Sequence, residues 1–213
     1  ADGVELQVID TKAPEKGLVC HVATVASGTL TVGMAVSAQV DAKRRACIAR
    51  NHTCTHILHA ALRQVLGAHV KQAGSYVGPD RLRFDFTHFE SVTPEQLKQV
   101  EELANSVIMS ATATNIFETS LAKAREEGVT ALFGEKYGDV VRVVKVGDFS
   151  SELCGGCHVA NTAEIGLVKI VSESSVGANL RRIEAFTSYD ALAYLNGFEH
   201  QMKELSATLR VPT

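Results

Sequence analysis

Apolar residues alternate with polar ones, or run together, over residues 4–9, 18–25 and 29–40. Each stretch predicts a β-strand, the last broken at Gly33. Pro14, Gly17, Gly28 and Gly33 punctuate them as turn formers. The outcome expected is a small, mostly antiparallel β unit ending near Asp41. It is short for a closed barrel, and the chain starts almost inside its first strand, as a piece of a longer protein would. The period then changes. Leu58, Leu62, Val65 and Leu66 keep helical spacing, which predicts a helix over 52–66 with Asn51 as N-cap and Gly67 as the stop. Strand pattern returns at 69–77 and 81–87 around the turn Gly78-Pro79-Asp80. Thr93-Pro94-Glu95-Gln96 reads as a capping box with proline in the first turn, and Leu97, Val100, Leu103, Ala104, Val107 and Ile108 continue it to about 110. A short helix is expected at 119–127, β structure at 140–146, 165–172 and 179–187, and a last helix over 189–208 capped by Ser188. This order predicts an α+β fold with helices packed on antiparallel sheets.

A chain of 213 residues, 46% of them hydrophobic, can bury a core as one large domain or two small ones. The net charge of −3 excludes a general field for nucleic acid, so any RNA contact has to be local. Lys43, Arg44, Arg45 and Arg50 form the one basic run, readable as a solvated linker or as a phosphate contact beside a helix N-terminus. Cysteines 20, 47, 54, 154 and 157 are odd in number and without a secreted-scaffold rhythm, which suits a reducing compartment, so a cytoplasmic location is expected. No run of 18 apolar residues and no signal-peptide pattern occurs.

The chemistry concentrates in two places. His52 and His56 lie four apart on the expected helix and so share a face. Cys154-Gly155-Gly156-Cys157-His158 adds thiol and imidazole in a tight turn. Alone, the first is often an idle histidine pair, and the second is ambiguous between metal ligation, redox chemistry and a buried turn. Together they supply His, His, Cys and His, a set suited to tetrahedral Zn²⁺. The bland alternative is a satisfied core histidine pair beside a structural thiol. A metalloprotease needs glutamate where Thr53 stands, and a zinc nucleobase deaminase needs His-x-Glu where His52-Thr53-Cys54 stands. No Gly-x-Ser-x-Gly elbow supports a serine hydrolase.

Along the chain stand, in order, Asn51-His52-Thr53-x-Thr55-His56, Gln72-x-Gly74-Ser75, Arg81–Phe86, Ala131–Tyr137, Glu152-Leu153-Cys154-Gly155-Gly156-x-His158, Ser172-Glu173-Ser174 and Arg181–Ala185. Together these motifs resemble the editing region of alanyl-tRNA synthetases. The same core is shared with threonyl-tRNA synthetase and with free-standing trans-editing proteins. The resemblance implies a partial β-barrel subdomain at 1–45, a zinc-dependent editing core at 46–188, and over 189–213 a helix leading into a C-terminal region. It implies hydrolysis of mischarged Ser-tRNA(Ala), and of Gly-tRNA(Ala), with zinc on His52, His56, Cys154 and His158. The implied partners are the acceptor end of tRNA(Ala) and the other domains of a parent synthetase, with neither membrane nor DNA involved. Gln72 maps beside the editing pocket; Gln72, His59 and a water are the candidate bases, although His59 is also readable as an idle residue on the helix surface. Lys43, Arg44, Arg45, Arg50, Arg181 and Arg182 are the candidate tRNA contacts, the last two equally readable as one inward ion-paired arginine and one solvated one. Family members usually carry threonine where Cys157 stands; this extra thiol is expected to pack rather than to bind metal. A non-catalytic, zinc-stabilised module that binds the tRNA acceptor stem is the competing expectation.

Overall fold

The structure, a computed structural model, describes residues 3–15, 17–131 and 137–211. Its contacts divide the chain into two units, Ala1–Asp41 and Ala42–Thr213. In the first, strands β1 (Glu5–Glu15) and β2 (Leu18–Ser27) pair antiparallel from Glu5 opposite Ser27 to Glu15 opposite Leu18. This is an open ribbon, and no sheet among the described residues closes into a barrel. The strand expected over 29–40 does not form. Its apolar residues Leu30, Val32, Val36 and Val40 are exposed, and the alternation there has no neighbouring strand to pair with.

The second unit is built around helix α1 (Ala42–Leu66). A four-stranded antiparallel sheet lies against it, in the order β3 (Gln72–Val77), β4 (Leu82–Thr87), β9 (Leu180–Thr187), β8 (Val168–Gly177). Helix α2 (Pro94–Met109) packs on α1 and on β8. A second antiparallel sheet runs β5 (Thr114–Ser120), β6 (Val140–Val146), β7 (Ser150–Leu153), with the short helix α3 (Leu121–Glu126) after β5. Helix α4 (Ser188–Leu209) follows β9. The fold is α+β, as expected.

The core explains why α1 is central. Ile57, Leu58 and Leu62 on its inner face meet Phe84 and Phe86 of β4, Val100 and Ile108 of α2 and Ile183 of β9, all fully buried. Each such side chain contributes roughly 1.5–3 kcal/mol relative to exposure. The capping box of α2 forms as read: Gln96 N–H donates to Thr93 Oγ1 and Thr93 N–H to Gln96 Oε1.

Two helix starts differ from expectation for physical reasons. Helix α1 begins at Ala42 rather than after Asn51, so Asn51 is not an N-cap. Asn51 is buried in mid-helix, where Nδ2 donates to the Gly78 carbonyl at 2.9 Å and Oδ1 accepts from Thr187 Oγ1 at 2.7 Å. It ties α1 to the β3–β4 turn and to the end of β9. Thr187 therefore makes no side-chain cap for α4, and Ser188, the expected cap, lies inside the helix with φ of 54°. Strands β5 and β7 are additions to the expected set, and β8 runs on to Gly177.

Candidate metal centre

The middle turns of α1 present His52 and His56 side by side, their rings stacked with centroids 5.4 Å apart. Because α1 starts at Ala42, the pair is well inside the helix rather than at its open end. Across from them, β7 delivers Glu152 and then Cys154, and the chain turns through Gly155 and Gly156 to His158. The turn is fixed from beneath by Arg142 of β6. Its Nη1 donates to the Cys154 and Gly156 carbonyls, both at 2.8 Å, while Cys154 N–H donates back to the Arg142 carbonyl at 3.0 Å. Gly156 is required by close approach: a Cβ there would sit 2.0 Å from His52 Cε1.

His52, His56, Cys154 and His158 converge, one donor atom each, with all four atoms within 4.8 Å of one another. Cys154 Sγ lies 3.4 Å from His52 Nε2 and 3.4 Å from His158 Nε2. A sulfur and a nitrogen bound to one tetrahedral zinc would be about 3.5 Å apart, given Zn–S and Zn–N bonds of about 2.3 and 2.0–2.1 Å. Two of the three outer nitrogens are held away from this point. His56 Nδ1 bonds Glu152 Oε2 at 2.7 Å, and His158 Nδ1 bonds Thr53 Oγ1 at 3.2 Å. Thr53 Oγ1 also donates to the Ala49 carbonyl and accepts from Val159 N–H, so it takes the His158 hydrogen as an acceptor. His56 Nε2 is then a buried atom with no hydrogen-bond partner, aimed where a ligand would be. These donors fit a metal ion of the zinc type by softness and number.

The thiol's charge agrees with that fit, whereas a metal at His56 Nε2 would have to displace a proton. Burial pushes the Cys154 thiol up, but the histidines around it, His158 first, outweigh this and bring it down to about 3, into the thiolate form a metal needs. Burial would also raise Glu152, yet the His56 charge and the hydrogen bonds of His56 and His59 hold it at about 2. Burial lowers His56, and the Glu152 carboxylate overrides this to carry it to about 10. His158 is lowered, by burial first.

The other expected residues are distributed unevenly. His59 is buried, not on the helix surface: its Nδ1 is 2.9 Å from Glu152 Oε1 and its ring packs on Phe84. Gln72, at the start of β3, donates from Nε2 to Ser75 Oγ at 3.2 Å. Lys43, Arg44 and Arg45 are exposed on the first turn of α1. Arg50 donates from Nε to the Glu164 carbonyl at 2.9 Å. Arg181 and Arg182 are both ion-paired: Arg181 grips Glu173, and Arg182 holds Asp85 through two bonds of 2.7 and 2.8 Å. Cys157 packs against the main core, outside the four-donor group. Of the motif Ala131–Tyr137, residues 132–136 lie outside the described residues. Sequence reasoning missed Glu152, Thr53 and Arg142 as parts of the site. Glu152 had a signal, being an acid two residues before a candidate ligand.

The comparisons fall on the same stretch of chain. The family described as threonyl and alanyl tRNA synthetase second additional domain matches residues 141–184, the stretch holding Arg142, Glu152, Cys154 and His158. The alanine–tRNA ligases of Acetivibrio thermocellus and Pelotomaculum thermopropionicum are each 53% identical over 210 residues, covering 99% of this chain. That of Bacillus anthracis is 49% identical over 210 residues. The chain spans 24% of the length of each of these relatives. Over nearly its whole length the chain is thus similar to one stretch of the alanine–tRNA ligases, and over residues 141–184 it matches the second additional domain of threonyl and alanyl tRNA synthetases.

Proposed function

We propose that the chain hydrolyses the ester of tRNA(Ala) mischarged with serine, and of tRNA(Ala) mischarged with glycine, at a zinc site on His52, His56, Cys154 and His158. The observation that carries this is the convergence of those four donor atoms, with His56 Nε2 buried and bare. The need for such an activity is physical. A pocket for alanine cannot exclude glycine by size, and an apolar pocket rejects one added hydroxyl poorly, so hydrolytic correction supplies the missing discrimination.

When bound, zinc would supply Lewis acidity toward a carbonyl oxygen or a water. The rest falls to the chain's own residues. Glu152 and Thr53 fix the tautomers of His56 and His158, and Arg142 fixes the Cys154–Gly156 turn. Gln72 is assigned to the aminoacyl end as a polar contact. His59 is not assigned as a base, because its Nδ1 is already bonded to Glu152 and the ring is buried. Lys43, Arg44 and Arg45 are assigned to tRNA phosphates. Arg50, Arg181 and Arg182 serve protein acceptors and are expected to contribute less than Lys43 and Arg45. A longer protein containing this stretch is proposed to charge tRNA(Ala) with alanine using ATP and to work in the cytoplasm.

One observation favours a second reading. Four protein donors complete a tetrahedral set, the usual mark of a structural zinc. On that reading the chain is a zinc-stabilised module that binds the tRNA acceptor stem without catalysis. Release of serine from Ser-tRNA(Ala), with Ala-tRNA(Ala) alongside, measured before and after zinc removal, separates the two. Selective, zinc-dependent release of serine supports the deacylase. No release by zinc-loaded, folded chain that still binds tRNA contradicts it and leaves the binding module.

A further inference from the structure

Residues 56 and 59 lie three apart on α1 and so share the face that meets β7. The alternation of β7 turns one acid, Glu152, inward, where it is 3% exposed. Its two carboxylate oxygens are divided between the two rings: Oε2 takes His56 Nδ1 at 2.7 Å, and Oε1 takes His59 Nδ1 at 2.9 Å. Ser150 Oγ adds a longer bond to Oε1 at 3.4 Å. The far nitrogen of each ring, Nε2, is buried without a partner, but the two sit in different company. His56 Nε2 belongs to the four-donor group, whereas the His59 ring lies against Phe84 in the core. A buried imidazole with one bare nitrogen costs stability. An apolar side chain would fill the place of His59 better if packing were its only task.

We propose that Glu152 and His59 are positioning residues of the centre. Glu152 holds His56 with Nδ1 protonated and Nε2 presented to the metal, and His59 acts only through Glu152, by fixing the carboxylate plane. The assignment rests on the metal reading above. An acceptor on the outer nitrogen of a ligating histidine sets its tautomer and raises its donor strength.

The experiment measures zinc affinity of the full chain by competition with a chromophoric chelator, with metal-free thermal melts to establish folding. Glu152→Gln is expected to weaken zinc binding by roughly 10–100-fold, because a neutral amide replaces a carboxylate and faces His59 or His56 with a donor. His59→Phe puts a slightly larger apolar ring in its place and is expected to weaken binding by a smaller factor, on the order of 5-fold, in a metal-free chain that still melts cooperatively, at a somewhat lower temperature because Glu152 Oε1 loses its partner. His59→Gln, whose amide can donate to Oε1, is expected to restore affinity. The double variant Glu152→Gln/His59→Phe should bind zinc no more weakly than Glu152→Gln alone, since the second residue has no separate route to the metal. Unchanged zinc affinity in folded His59→Phe overturns the assignment, as does a double variant in which the two losses multiply. Wild-type chain that takes up no zinc overturns the centre itself and the assignment with it, whereas a wild type that binds and variants that bind equally well overturn the assignment alone.

Discussion

Imidazoles gather at two places in the second unit, and ring spacing does not distinguish them. His52, His56 and His158 have centroids 4.4 to 5.4 Å apart, and His69 and His88 have theirs at 5.1 Å. The difference lies in where the nitrogens point. His69 Nε2 and His88 Nδ1 face each other at 2.8 Å, so one N–H satisfies the other ring and that pair of atoms is closed to a ligand. Around Cys154 the outer nitrogens of His56 and His158 are held by Glu152 and Thr53, and the inner ones converge on a thiol. Among the described residues no second group of three or more such donors converges. What marks a metal centre is thus the set of groups that hold the ligands from behind, more than a count of histidines.

The sharpest way to break this contrast is to remove one ligand from each place. Cys154→Ser and His56→Ala are expected to lower zinc affinity by about 10³-fold or more, while His69→Ala leaves bound zinc per chain unchanged; metal content after dialysis checks both. Equal losses would erase the distinction. Next come the two glycines of the turn. A methyl at Gly156 collides with His52, whereas a Cβ at Gly155 meets nothing within 4 Å. Gly156→Ala should therefore cost roughly 10–100-fold in zinc affinity, the order found for displaced supports of a ligand, and Gly155→Ala should cost nothing measurable. Arg142→Lys tests the same turn more gently. A lysine cannot reproduce the guanidinium that spans two carbonyls, so a drop of about 1 kcal/mol in stability is expected by denaturant unfolding.

The smallest effect belongs to the His69–His88 pair and depends on pH. Burial first, then the neighbouring His69, lowers the His88 pKa from 6.5 in the folded state, while Glu90 and Glu173 oppose this and Arg181 adds to it. A base with a lowered folded pKa binds fewer protons folded than unfolded just below 6.5. Its stabilising contribution is thus complete above about pH 6.5 and is lost as the pH falls below it. His88→Ala should flatten the fall in melting temperature between about pH 6.5 and 5.5 relative to wild type, by a small amount because the ring is only part-buried. An unchanged slope would remove His88 from the titration.

Much of the centre was legible because its ligands are carried by local spacing. The i, i+4 pair His52 and His56 and the Cys-Gly-Gly-Cys-His turn need only a helix and a tight turn to present their donors. What was not legible depends on contacts between distant segments. Asn51 looks like a cap because asparagine favours caps, but its amide joins Gly78 and Thr187, 27 and 136 residues away. Glu152 and His59 are 93 residues apart, and nothing in either neighbourhood names the other. Strands β5 and β7 are recognisable only through β6, which pairs with both. The alternation over 29–40 failed in the opposite direction: it has the pattern of a strand without a partner to pair with. Arg181 and Arg182 were readable as tRNA contacts or as one ion-paired and one solvated arginine, and the carboxylates of Glu173 and Asp85 that hold both come from other strands.

The most direct test of the centre is X-ray absorption at the zinc edge on zinc-loaded chain. The geometry predicts one sulfur at about 2.3 Å and three nitrogens at about 2.0–2.1 Å, from Cys154, His52, His56 and His158. Two sulfurs would bring Cys157 into the site, and a shell of oxygens would deny the four-donor centre altogether.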